Sequence, residues 1–373
     1  MPLSSGGSRA SQDVSGHASR RSPGRPAAHP FNHTVYAMTV FVAGGTGAVG
    51  ARLVPALVGL GHDVVALARS PESAAAVEAM GARAAIADAL DAAALTAAVR
   101  EAAPQAVLHQ LTALADVTWN FKRLDEEFAL TNRLRTEATD TLLAAARLAG
   151  ARRFVAQSFC GWPFARVGGP VKTEDAPLDP SPPAAFAETL AAIRHLEERV
   201  SQAPDVEGVV LRYGNLYGAG TGFARDGAMA RLVRTRQFPL VGGGAGVWSF
   251  VHVDDAVRAT LAALSRGTPG IYNVVDDEPA PVSRWLPVLA EVAGAKPPQR
   301  VPAWLARFAI GTGGVTIMTD ARGGANAKAK RELRWQPTYA TWRDGFVECI
   351  GSRDTEPGGA TGSEGGVARE ALP

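Results

Sequence analysis

The residues best placed to do chemistry are Gly44, Gly45, Thr46, Gly47, Ala48, Val49 and Gly50, with glycines at G-x-x-G-x-x-G spacing. They follow the apolar run Val40 to Ala43 and precede the helical pattern ArgLeuValProAlaLeuValGlyLeu. Gly44 permits a tight turn off the strand, Gly47 lets a diphosphate approach the backbone, and Gly50 lets the new helix pack close to the strand. The unpaired N–H groups and positive dipole end of that helix then face the anion. A strand before and a helix after supply the context this motif needs, so the segment reads as a cradle for a dinucleotide phosphate.

Candidates for proton chemistry are scattered. Ser158 ends the fifth predicted strand, although Phe159 fits the same slot one position on. Tyr213 follows the sixth strand, His109 ends the fourth and reads as a core residue, and His195 lies on a later helix. Lys172, Glu174 and Asp175 fall in the loop before that helix, and Glu197-Glu198 reads as its charged outer face. Asp254 and Asp255 read as the N-cap of a helix. Cys160 lies near the same strand ends with nothing to mark it as an activated thiolate.

The 373 residues allow one large α/β unit or two closely joined lobes. Apolar runs fall short of the roughly 18 residues of a membrane-spanning helix. Two distant cysteines, Cys160 and Cys349, imply no disulfide framework and fit a reducing cytoplasm. A net charge of +2 without a basic, aromatic-laced stripe argues against nucleic acid, and no His/Cys/Asp/Glu cluster has metal-ligand spacing. A small-molecule partner is the expectation.

Those residues need a scaffold. Strands are predicted at Val40 to Ala43, Asp63 to Ala68, Ala82 to Ala87, Ala106 to Gln110, Arg153 to Gln157 and Gly208 to Arg212. Helices are predicted at Ala51 to Leu60, Pro71 to Met80, Asp91 to Ala102, Asp125 to Ala149 and Pro183 to Ser201. This alternation predicts a doubly wound parallel sheet covered on both faces. The dinucleotide-binding part is expected at residues 38–213, completed by segments around 247–275, including strands Val247 to Val251 and Ile271 to Val275. A smaller C-terminal substrate lobe is expected at 214–350. Gly-rich runs at 242–246 and 311–324 read as cleft covers or plain loops. Residues 1–37 and 351–373 read as disordered tails. Arg20-Arg21 lacks the apolar stretch of an export signal, and Met38 sits where a compact protein of this kind would start.

The chain resembles the extended short-chain dehydrogenase/reductase family, also called NAD-dependent epimerase/dehydratase proteins. The resemblance covers Thr39 to Phe346. It rests on the glycine loop, Asp88-Ala89, ValLeuHisGln at 107–110, Asn132, ArgPheValAlaGlnSer at 153–158, LeuArgTyrGlyAsnLeuTyrGly at 211–218, PheValHisValAspAsp at 250–255 and IleTyrAsnVal at 271–274. It implies a Rossmann fold, with Gly44, Thr46, Gly47, Ala48, Val49 and Gly50 on the pyrophosphate. Asp88, beside Ala89, would accept the adenine amino group or cap the following helix. Ala68-Arg69-Ser70 stands where an NAD-selective enzyme carries a carboxylate, and a guanidinium suits a 2′-phosphate. NADP is therefore the expected cofactor, with NAD as the alternative.

One departure from the family is sharp. Most members use Tyr-x-x-x-Lys with a Ser or Thr, yet none of the five tyrosines here has Lys four residues on. In the helix where the pair belongs, its sites fall on Phe186/Leu190 or Leu190/Arg194. The expectation is an atypical NADP(H)-dependent oxidoreductase acting on a carbonyl, alcohol or sugar-like polar metabolite. Ser158 would orient the substrate oxygen, Arg194 replace the lysine charge, and Tyr213 or a water move the proton. A redox-neutral epimerase/dehydratase and a non-enzymatic NADP sensor are the alternatives. The long helices 125–149 and 183–201 could pair in a homodimer.

Overall fold

The computed structural model describes residues 37–115 and 117–351. Apart from Ala37 and Gly351, the expected tails lie outside the described residues.

Seven apolar strands form one sheet: β1 (Thr39–Ala43), β2 (Asp63–Ala68), β3 (Arg83–Ile86), β4 (Ala106–His109), β5 (Arg153–Phe159), β6 (Glu207–Tyr213) and β7 (Gly270–Val274). Their order is β7-β6-β5-β4-β1-β2-β3, and all neighbours run parallel. The strand order reverses between β1 and β4, which is where ligands of open α/β sheets bind, outside the carboxyl ends.

A parallel sheet must be covered on both faces, and the two-residue period of a strand divides its side chains between them. Val40, Val42, Ala66, Leu108 and Val155 pack on one side with Leu53, Val54 and Leu57 of α1 (Gly50–Gly59) and Val77 of α2 (Pro71–Ala79). Phe41, Leu67, Val107, Phe154 and Ala156 pack on the other, against Leu95 and Val99 of α3 (Ala92–Ala102), Leu142 and Ala146 of α4 (Thr139–Leu148), and Leu196 and Val200 of α5 (Ala187–Ser201). Beyond the sheet, Tyr217, Phe223, Phe250, Trp285, Trp342 and Phe346 build a second, aromatic core.

Four sequence expectations change. The Gly-rich run at 311–324, read as a cover or a loop, lies largely in the helix Ala303–Thr319. The predicted helix 125–149 is interrupted, running as Leu124–Glu127, Ala129–Arg133, a wide π-helical turn at Leu134–Ala138, and then α4. The strand expected at 247–251 divides at Ser249: Val247–Trp248 pairs with Ala280–Pro281 and Phe250–His252 with Asn215–Tyr217, so β7 alone extends the main sheet. The helix Val253–Ala263, α6, is capped by His252, whose Nδ1 accepts the Asp254 amide at 3.2 Å. Asp254 instead pairs with Arg52 at 2.9 Å, and buried Asp255 accepts the Thr338 and Tyr339 amides. Among the described residues no helix is long and apolar enough to cross a membrane.

Candidate active site

The glycine turn leaves β1 at the reversal of strand order. Gly44 has φ +98°, and a Cβ built there would meet the Gln110 carbonyl oxygen at 2.5 Å. A Cβ on Gly50 would drive into the Gly44 carbonyl, so these two glycines are required by the fold itself. Gly47 differs: among the described residues its Cβ would have only the Gly44 oxygen, at 3.6 Å, as a neighbour. The space above Gly47 is thus open to a ligand. Among the described residues the Ala48 and Val49 amides have no backbone acceptor, and the first turn of α1 carries neither an acidic residue nor a side-chain cap. Thr46 is exposed on the same turn. These donors and this empty space fit a dinucleotide diphosphate.

Arg69, at the end of β2, is exposed, while Ser70 next to it is spent on the capping box of α2 with Ser73. Asp88 is exposed after β3 and accepts the Leu90 amide at 2.8 Å, with half-buried Ala89 in that turn. The cap of α3 is Asp91, whose Oδ1 takes the Ala93 and Ala94 amides, so the helix-cap alternative for Asp88 is replaced by a local turn.

The expected catalytic residues lie elsewhere. Ser158 is buried and donates to Glu197 Oε1 at 2.7 Å. Glu197 in turn holds Arg212 through bonds of 2.6 and 2.7 Å, so Ser158 supports a buried ion pair. The predicted outer face of α5 at Glu197 is an inner one. Alternation along β5 sends Ser158 to the α5 side and leaves Phe159 facing the cleft. Tyr213 is buried in the core, its hydroxyl 2.6 Å from Thr260 Oγ1. Thr260 Oγ1 also lies 2.8 Å from Ala256 O, the Tyr213 hydroxyl reaches Gln110 Oε1 at 3.5 Å, and burial pushes the tyrosine pKa up to about 12. Arg194 reaches toward the Asp179 carbonyl at 3.4 Å and does not line the cleft.

That cleft lies outside the carboxyl ends of β4, β5 and β6, lined there by Leu114, Phe159, Gly161 and Asn215. Room for the centres of water-sized molecules within it amounts to about 100 Å³. From α5 it receives Thr189 and Ile193, an i, i+4 pair. The pair sits one position before the second predicted register, a difference that turns a helix face by about 100°. Thr189 is not free for proton transfer. Its hydroxyl donates to Asp125 Oδ1 at 2.7 Å and accepts from Asn132 Nδ2 at 3.1 Å. Arg135, on the wide turn, is the cationic residue of the lining. The remaining walls are largely aromatic and aliphatic, unlike the polar site expected for a sugar-like metabolite.

The other candidates are held by partners within the protein. Buried His109 lies 3.0 Å from Thr139 Oγ1 and accepts the Leu111 amide, and burial pulls its pKa down to about 4. His195 bonds Asp140 at 3.1 Å. Glu174 accepts the Asn273 amide, and Lys172 bonds the Val167 carbonyl. Cys160 is fully buried, and burial raises its thiol pKa, which keeps it inert.

An all-parallel sheet with an anion-ready glycine turn at its switch point, beside a cleft, defines a Rossmann-type NAD(P)-binding enzyme. The chain belongs to the NAD dependent epimerase/dehydratase family, whose model matches residues 40–274. It is 49% identical to a 3-diazoavenalumate denitrifying reductase from a Streptomyces species, over 83% of this chain and 99% of that protein. It is 33% identical to a 4-hydroxy-2-methyl-3-oxo-4-farnesyl-3,4-dihydroquinoline-1-oxide ketoreductase from Stigmatella aurantiaca, over 69% and 74% of the two chains. In fold it is similar to the UDP-glucose 4-epimerase of Thermotoga maritima, with TM-score 0.66 and 22% identity over 84% and 97% of the chains.

Proposed function

We propose that the protein is an NADP(H)-dependent reductase of aromatic diazo compounds, which replaces the diazo group by hydrogen and releases dinitrogen. The observation that carries this reading is the absence of a proton relay from the described cleft lining. Phe159 and Ile193 are hydrocarbon, and the one Thr189 proton is committed to Asp125.

A bound nicotinamide supplies hydride. Reduction of a ketone consumes hydride and a proton, so it calls for an acid at the substrate oxygen. An arenediazonium cation consumes hydride alone: the carbon–nitrogen bond breaks, a carbon–hydrogen bond forms, and N₂ leaves with both electrons of the broken bond. Such a reaction has no use for a phenol. The similarity to the denitrifying reductase supports the same assignment. Gly44, Gly47, Gly50 and the Ala48 and Val49 amides would hold the diphosphate, Asp88 the adenine, and Arg69 a 2′-phosphate.

The test is turnover of 3-diazoavenalumate with NADPH, measured against the enzyme-free rate. One N₂ released per NADPH oxidised is expected. NADPH oxidation without N₂, or faster reduction of simple ketones, would refute the assignment.

A further inference from the structure

We propose that Arg135 anchors a carboxylate of the substrate, and that the substrate is a flat aromatic acid enclosed by the rings of the cleft. This rests on the reading of the cleft as the reaction site.

Arg135 is only 7% exposed, and its Nη1 has no hydrogen-bond partner among the described residues. No ion pair engages it among the described residues. Glu197, the acid whose charge it feels, is already bonded to Arg212 and Ser158. Burial lowers the Arg135 pKa to about 10, so the guanidinium is still charged at neutral pH. A buried charge without a counter-ion is costly to the fold, and an anionic ligand is the partner that removes the cost. The planar fork of a guanidinium matches the two oxygens of a carboxylate.

The walls define the rest of the ligand. Trp119, Phe121, Phe128, Trp162, Phe223 and Trp248 surround the space that Arg135 lines. Such walls suit a ring system and leave sugar hydroxyls unpaired. Two other polar side chains of the lining are engaged: Thr189 by Asp125, and Asn215 Nδ2 by the Ser249 carbonyl at 3.0 Å. Arg135 also sits on the one π-helical turn among the described residues, and such turns are frequent at functional sites.

The test is calorimetric titration of the full-length protein, with and without NADP⁺, using cinnamate, methyl cinnamate and UDP-glucose. The acid should bind at least about tenfold tighter than its ester, since only the acid forms the charge-assisted pair. Arg135→Gln should abolish the preference and Arg135→Lys retain part of it. Equal binding of acid and ester, no binding of cinnamate at millimolar concentration, survival of the preference in R135Q, or tighter binding of UDP-glucose would each overturn the proposal. If R135Q does not fold, the acid-to-ester comparison on the unaltered chain decides. Acid discrimination without N₂ release sinks the proposed reaction and leaves the anchor standing; N₂ release without acid discrimination does the reverse.

Discussion

Arg212 Nη2 donates to Glu197 Oε2 at 2.6 Å, and both side chains are at most 4% exposed. The pair joins β6 to α5 and takes the Ser158 hydroxyl as a third member. Glu197→Ala leaves a buried guanidinium without its acid and should cost about 3–5 kcal/mol. Ser158→Ala should cost about 1 kcal/mol, the value of one buried hydrogen bond. Denaturant unfolding measures both. Ser158→Ala should leave turnover within about twofold of the unaltered chain, whereas removal of a group that touches the reacting atoms costs orders of magnitude.

The glycines of the turn should separate by role. Gly47→Ala adds a methyl group where the protein itself has room, so the midpoint of thermal unfolding should hold steady. Dinucleotide affinity should fall at least about tenfold, roughly 1.4 kcal/mol. Gly50→Ala meets the Gly44 carbonyl and should lower thermal stability as well as binding. Calorimetry and a thermal melt on the two variants read the difference.

Arg69→Glu sets a carboxylate where the proposed 2′-phosphate lies. NADPH affinity should drop by about ten- to a hundredfold, or roughly 1.4–2.7 kcal/mol, while NADH affinity holds or improves. Dissociation constants for both cofactors check this, and unchanged NADPH binding defeats the assignment of Arg69.

Burial holds the His109 pKa near 4, against an ordinary value of about 6.5 in the unfolded chain. Below pH 6.5 the unfolded state binds the proton and the folded state does not. The stability present above pH 6.5 is therefore lost as the pH falls toward 4, by about 3 kcal/mol in all. His109→Gln should flatten this part of the stability–pH profile, read by urea unfolding at pH 7 and pH 4.5.

Element types were legible because burial on two faces imposes long apolar runs on the strands and a 3.6-residue stripe on the helices. β2 runs from Asp63 to Ala68, as its pattern predicts. Two buried charges were also legible in principle. Glu197 stands seven residues after Leu190, four after Ile193 and three before Val200, within the buried stripe of α5. Arg135 stands four after Thr131 and three before Ala138, all three buried. A charge on an apolar stripe is a signal of a buried pair or a waiting ligand.

The sequence by itself determined the glycine turn, the parallel α/β sheet, the family and the lack of a Tyr-x-x-x-Lys pair, since each depends on residues near one another in the chain. Tertiary structure alone decided which residues face the cleft. A one-residue shift turns a strand side chain to the opposite face and a helical one by about 100°. Phe159 rather than Ser158, and Thr189 and Ile193 rather than Leu190 and Arg194, face the cleft for that reason. The partners that occupy Ser158, Tyr213 and Glu197 come from segments distant in sequence that only packing brings together.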